Sequence, residues 1–159
     1  MIDIKVKELT EDNFSKYGAL IDLKKTRDKP SESPMNYWPL YNITFELPHL
    51  GILEIERDGF PISVLEKHII IEEVFIPVSG IGIMPFALPN VIKHVDKQSK
   101  INEIEAFLID GSKALIINRG IWHYPPQPLS KSIRFLMALT REYASDTCKM
   151  PIDAFNFTF

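Results

Sequence analysis

The sequence predicts an all-β domain, a barrel or double-sheet jelly roll with one or two short helices near its N-terminus, and three observations carry that prediction. From residue 40 onward, short alternating or apolar runs recur, each closed by Gly, Pro, Asp or Asn. Asp58-Gly59 supplies a hairpin-type turn between two of these runs. Helical periodicity is almost absent across the same stretch, which leaves an all-β sandwich or barrel. The 159 residues are one domain's worth of chain. They divide into an N-terminal strand, helix and loop (1–39), a β-barrel (40–143) and a packed tail (144–159).

Ile2 to Lys7 alternates and reads as a strand. Thr10 is an N-cap for a short helix over Glu11 to Tyr17, which Gly18 stops, and Ala19 to Leu23 is a second short apolar segment. Lys24 to Pro39 is charged and holds Pro30, Pro34 and Pro39, the composition of a long surface loop. Tyr41 to Leu47 and Leu50 to Glu56 both alternate, and Ile62 to His68 is expected to pair back across the Asp58-Gly59 turn. Glu73 to Val78, Ile81 to Leu88, Glu103 to Ile109, Ala114 to Asn118 and Ser132 to Thr140 complete the strands. Beyond Ala144 the chain reads as irregular, yet Phe155, Phe157 and Phe159 give it apolar weight, so it is expected to pack on the barrel or on a second subunit.

The net charge of -3, with no basic block or stripe, excludes a nucleic-acid surface and leaves a small molecule as the expected partner. Cys148 is the single cysteine, so no intrachain disulfide forms and nothing indicates an oxidising compartment. The N-terminus lacks the apolar centre of a signal peptide, and no run approaches the length of a membrane span. A cytoplasmic protein with no membrane partner is the expectation.

Two stretches carry chemistry. In Asn118-Arg119-Gly120-Ile121-Trp122-His123-Tyr124-Pro125, a histidine sits between a glycine that frees the backbone and a proline that fixes it. That setting points His123 at a pocket, for which Trp122 and Tyr124 are candidate walls, and Arg119 is a candidate clamp on a substrate carboxylate. The partner stretch is Glu66-Lys67-His68-Ile69-Ile70-Ile71-Glu72-Glu73. Residues two apart share a strand face, so Glu66 and His68 point the same way. A hairpin tip at residues 69–72 would bring Glu73 back to that face beside His68, with His123 arriving from another strand pair. Imidazole and carboxylate suit a divalent transition metal, so His68, Glu73, His123 and Glu66 are candidate ligands. His68, Glu73 and His123 are equally candidates for proton transfer near neutral pH. His49 and His94 read as solvated loop histidines, and Cys148 as inert.

Glu66-Lys67-His68, with four residues to Glu73 and six more to Gly80, resembles the first cupin motif, and Gly120 with two residues to His123 resembles the second. The narrower resemblance is to the ureidoglycolate lyase family, small cupins of allantoin breakdown that split ureidoglycolate into glyoxylate and urea. Leu9 through Phe14 to Tyr17-Gly18, Leu65 to His68, Phe75-Ile76-Pro77, Ala106-Phe107-Leu108 and Arg119-Gly120-Ile121-Trp122-His123 with Pro125 carry it. The resemblance covers nearly the whole chain, and its most specific part is Arg-Gly-x-Trp-His. It implies a cupin-type jelly roll, a homodimer and a lyase acting on a small hydroxy or ureido acid; His68, Glu73, His123 and Glu66 suit a divalent transition metal, but neither they nor the resemblance require a cofactor. Arg119, Trp122, Tyr124 and Lys67 would then face the substrate. Asn118 and Tyr124 stand where the family commonly has histidine, and Glu73 where it commonly has glutamine. Two rival readings are a cupin that only binds a small molecule and another metal cupin enzyme, an isomerase or oxygenase.

Overall fold

Side chains two apart along a strand share a face, and in this chain that alternation sorts the apolar residues onto both faces of one sheet and the inner face of another. The computed structural model describes residues 2–23, 48–57, 61–90, 103–140 and 143–159. In chain order the elements are β1 (Ile2–Lys7), α1 (Glu11–Phe14), β2 (Gly18–Asp22), β3 (Pro48–Glu56), β4 (Ile62–His68), β5 (Glu73–Ser79) and β6 (Gly82–Ala87). There follow β7 (Glu105–Ile109), β8 (Lys113–Ile117), β9 (Trp122–His123), β10 (Gln127–Pro128), β11 (Ser132–Thr140), α2 (Tyr143–Asp146) and β12 (Thr147–Thr158).

A seven-stranded sheet runs β10-β6-β7-β1-β12-β4-β9, and β9 also pairs with β6, the strand next to β10, which curls the sheet into a closed ring of strands from β6 to β9. A five-stranded sheet runs β2-β8-β5-β11-β3. The result is the barrel-like all-β sandwich that the turn-punctuated strands predict. Between the sheets lies the main core, where Met84, Phe86 and Phe107 of the first meet Phe75, Leu115, Ile133 and Phe135 of the second. A second cluster, with Ile4, Leu65, Ile83, Ala106, Trp122 and Phe155, takes the alternate residues on the other face of the seven-stranded sheet.

One turn of helix is too short to be stable alone, so α1 depends on its cap and its anchor. Thr10 Oγ1 accepts from the Asn13 backbone N–H while the Asn13 side chain accepts from the Thr10 N–H, a reciprocal cap. Phe14 is fully buried against Phe86 and Phe107, which contributes about 1.5–3 kcal/mol. The helix stops at Phe14 rather than at Tyr17, and Gly18 serves a different purpose from a helix stop. A Cβ there would sit 1.8 Å from the Ile116 carbonyl oxygen, so β2 can lie on β8 only with glycine at its first residue.

Three expectations change. Ile62–His68 does not pair with β3: β3 lies beside β11 in the five-stranded sheet, and β4 lies between β12 and β9 in the other. Residues 69–72 are therefore a crossing from one sheet to the other rather than a hairpin tip. The C-terminal segment is not irregular either; after α2 it forms β12, a 12-residue strand between β1 and β4. Tyr41–Leu47, the loop 24–39, the Asp58-Gly59 turn and His94 lie outside the described residues.

Candidate functional site

Directly opposed residues of an antiparallel pair project to the same face, so strand register decides what surrounds His68. Glu66 is opposed by His123 of β9 on one side and by Lys149 of β12 on the other, and His68 is opposed by Thr147. Glu73, the first residue of β5, arrives from the second sheet. Two contacts fix that arrival. The Asp146 carboxylate accepts from the Ile70 and Ile71 N–H groups at 2.9 and 3.2 Å, pinning the crossing. Gly120, at φ +77°, donates its N–H to the His68 carbonyl at 2.6 Å, which joins the two chemistry-bearing stretches.

The three predicted side chains meet. His68 Nε2 lies 3.3 Å from Glu73 Oε1, and His123 Nε2 lies 2.9 Å from Glu73 Oε2. All three are buried, with exposures of 5, 6 and 2% for His68, Glu73 and His123, a depth at which an unpaired carboxylate would be costly. His123 Nδ1 is 3.0 Å from the Ile121 carbonyl, an acceptor only, so that nitrogen carries a proton. Glu73 Oε2 has no neutral donor. It is satisfied when His123 carries its second proton on Nε2, which makes the pair an imidazolium and a carboxylate.

The charge balance agrees. Burial alone would lower the His123 pKa, but the Glu73 hydrogen bond and charge outweigh it and hold the imidazolium above its ordinary range. Burial would likewise raise the Glu73 pKa, and the His123 hydrogen bond with the His123 and His68 charges brings it below the usual carboxylate value. The cluster borders a cavity of about 560 Å³ whose polar lining is His49, Glu66, His68, Glu73, Thr147 and Lys149. Leu53, Phe75 and Met137 form apolar walls.

A protein-family model described as Ureidoglycolate lyase matches residues 1–154. The chain belongs to the ureidoglycolate lyase family. The ureidoglycolate lyase of Schizosaccharomyces pombe is 26% identical over 96% of this chain and 95% of its own length. That of Pseudomonas paraeruginosa is 24% identical over 93% of this chain and 89% of its own. Among solved structures, RmlC from Streptococcus suis, in complex with dTDP-D-xylose, overlaps 59% of this chain and 44% of its own, with a TM-score of 0.41 and 11% identity. At family level the chain is a lyase acting on a small molecule. Among the described residues no helix is long and apolar enough to cross a membrane.

In this ureidoglycolate lyase family member the remaining candidates divide by sheet face. His68, Glu73 and Glu66 border the cavity, whereas His123 stands behind Glu73 and is not among the lining residues. Trp122 points opposite to His123 and packs in the second cluster, with Tyr124 against it. Lys67, also facing away from the cavity, has its ammonium 4.4 Å from the centre of the Trp122 ring. Arg119 is exposed in the turn before β9 and is not among the lining residues. The loop position that the sequence suggests for His49 is corrected: β3 starts at Pro48 and carries His49 to the cavity. Thr147 and Lys149 carry no signal of their own in the sequence, because β12 shifts register between Pro151 and Phe155 and so does not alternate along its length.

The donor set fits a divalent cation. Ligand atoms of Glu66, His68 and His123 lie within 4.8 Å of one another, two of these residues buried. One carboxylate and two imidazoles suit a transition metal with positions left open. The Ile121 carbonyl fixes the His123 ring with Nε2 inward, the outer-shell support that ligating histidines characteristically have. A cation on that nitrogen would displace its proton, so binding would release acid.

Proposed function

We propose that the protein is a ureidoglycolate lyase in the specific sense, releasing urea from ureidoglycolate and leaving glyoxylate. The observation that carries this reading is the Glu73 carboxylate held between two imidazoles, one of them beside a cavity sized for a small acid. In the reaction the carbinol hydroxyl loses its proton, its O–H electrons become the carbonyl double bond, and the C–N bond breaks toward nitrogen. The nitrogen then takes a proton and leaves as urea.

Oxygen and nitrogen sit on the same carbon, so one base can take the first proton and return it to the second atom. His68 suits that role. Its Nε2 is engaged by Glu73, leaving Nδ1, on the side of Thr147 at 3.5 Å, as the basic nitrogen. Glu73 stabilises the transient imidazolium of His68, and His123 holds Glu73 ionised and oriented as a positioning residue. A divalent cation on Glu66, His68 and His123 would displace the His123 proton and take the place of this relay, supplying polarisation of the substrate oxygens instead.

The same reading includes a cytoplasmic homodimer. With Phe155 inside the sheet, contact between copies would fall on β3, where Leu50 and Ile52 are exposed. Sedimentation as a monomer at micromolar concentration would remove that part.

The test is urea and glyoxylate release from ureidoglycolate, with and without added divalent cation. The wild type is expected to turn over. His68→Asn should lose about a hundredfold to ten-thousandfold in rate while circular dichroism stays unchanged. A folded wild type that releases no urea under either condition would leave the small-molecule-binding reading in its stead.

A further inference from the structure

We propose that Lys149, with His49 on the same cavity, forms the subsite for the substrate's carboxylate, and so sets a preference for the anion over an uncharged analogue of the same size. This deepens the lyase reading and rests on it for the identity of the physiological substrate. The argument starts from charge. The cavity lining holds two carboxylates, Glu66 and Glu73, on the side where the reacting carbon must lie to reach His68. An anionic substrate meets repulsion there unless its own carboxylate is turned toward a cation.

Among the described lining residues the one Lys or Arg is Lys149. Its orientation follows from register: it is directly opposed to Glu66, whose face carries His68 and His123, so its side chain leaves the sheet on the cavity side. No ion pair involves Lys149 among the described residues, and none links it to Glu66 despite their opposition. Its three donors are therefore available to a ligand. His49 lines the same cavity from β3 of the other sheet, with Gly51 beside it. Arg119, the cation that sequence alone suggests, is absent from the lining, whereas Lys149 and His49, exposed like it, border the cavity, so the clamp belongs to a different strand.

The orientation that results is specific. The carboxylate lies at Lys149, the hydroxyl-bearing carbon lies at His68 and Glu73, and the apolar walls Leu53, Phe75 and Met137 enclose the remainder. Selection is by charge at one end and by hydrogen bonding at the other.

The experiment compares glycolate with glycolamide, which are alike in size and differ in charge, by NMR titration of the full chain. Wild type should bind glycolate about threefold to tenfold more tightly than glycolamide, the range of a charge-assisted contact at a partly exposed site. Lys149→Met should bring that ratio close to one, and Lys149→Arg should restore part of it. A wild type that does not distinguish the two ligands overturns the proposal. So does an unchanged ratio in a folded Lys149→Met protein, and so does a ratio that collapses on Arg119→Met instead. The two readings fail separately: no urea release with the glycolate preference intact defeats the lyase assignment and sustains the subsite. Urea release with no Lys149-dependent preference does the reverse.

Discussion

Glu73 and Glu105 are both carboxylates held below their ordinary pKa, and they show how neighbours decide what the same side chain does. Glu73 is flanked by two imidazoles, each with ring nitrogens that can donate or accept a proton, so its surroundings can pass one on. Glu105 is flanked by Lys7 at 2.5 Å, Lys16 at 2.6 Å and the Tyr17 hydroxyl at 2.6 Å, which makes it a fixed structural anion. Burial would raise its pKa, but the Lys16, Lys7 and Tyr17 hydrogen bonds lower it from 4.5 to about 2. A carboxyl whose folded pKa lies below its unfolded value stabilises the fold above the unfolded value and loses that contribution as pH falls through the folded one. Glu105→Gln should therefore cost stability at pH 7, with the gap to wild type closing as pH drops from about 4.5 toward 2. Denaturant titrations of both proteins at several pH values check this, and a gap that is constant with pH would contradict it. Legibility at this scale follows residue type. His68 and His123 announce themselves because imidazole between Gly and Pro or beside carboxylates has few bland uses. Lys149 resembles any surface lysine until its strand partner is known.

At the scale of elements, the crossing between β4 and β5 shows why a correct convergence can follow from an incorrect connection. Alternation identifies both strands, and His68 and Glu73 do meet, but they meet by changing sheets rather than by turning within one. Local sequence records a turn without recording its partner sheet, which is decided by long-range register. The residue that sets the crossing is Asp146, far away in sequence. Asp146→Ala should leave the Ile70 and Ile71 N–H groups without their acceptor and cost about 1–2 kcal/mol, read as a lower denaturant midpoint. Urea release should fall with it, because Glu73 follows directly on the crossing. Full turnover with a lowered midpoint would show that the crossing supports the fold without positioning the carboxylate. β12 was hidden for a related reason. Its pairing with β4 shifts register between Pro151 and Phe155, so the apolar face moves from the even positions Met150 and Ile152 to the odd positions Phe155 and Phe157. A strand that changes parity midway does not read as alternating.

Across the whole molecule, β12 is the member that joins the N-terminal strand to the strand carrying Glu66 and His68. It pairs in parallel with β1, from Ile2 opposite Phe155 to Lys5 opposite Thr158, and antiparallel with β4. Removing it would open the seven-stranded sheet in its middle rather than trim an edge. It would also uncover the second cluster, where Phe155 is 1% exposed. One buried phenylalanine contributes about 1.5–3 kcal/mol and each ladder hydrogen bond about 0.5–1.5 kcal/mol. Summed over two neighbouring strands, the loss is comparable with the 5–15 kcal/mol that typically holds a domain together. A chain ending at Asp146 should therefore fail to fold cooperatively, whereas a tail packed on a finished barrel would leave a folded if weakened protein. Thermal melting by circular dichroism and amide dispersion in a proton–nitrogen NMR spectrum distinguish these outcomes. A dispersed spectrum and a cooperative melt from the shortened chain would contradict the interior position of β12, and with it the route by which Lys149 reaches the cavity.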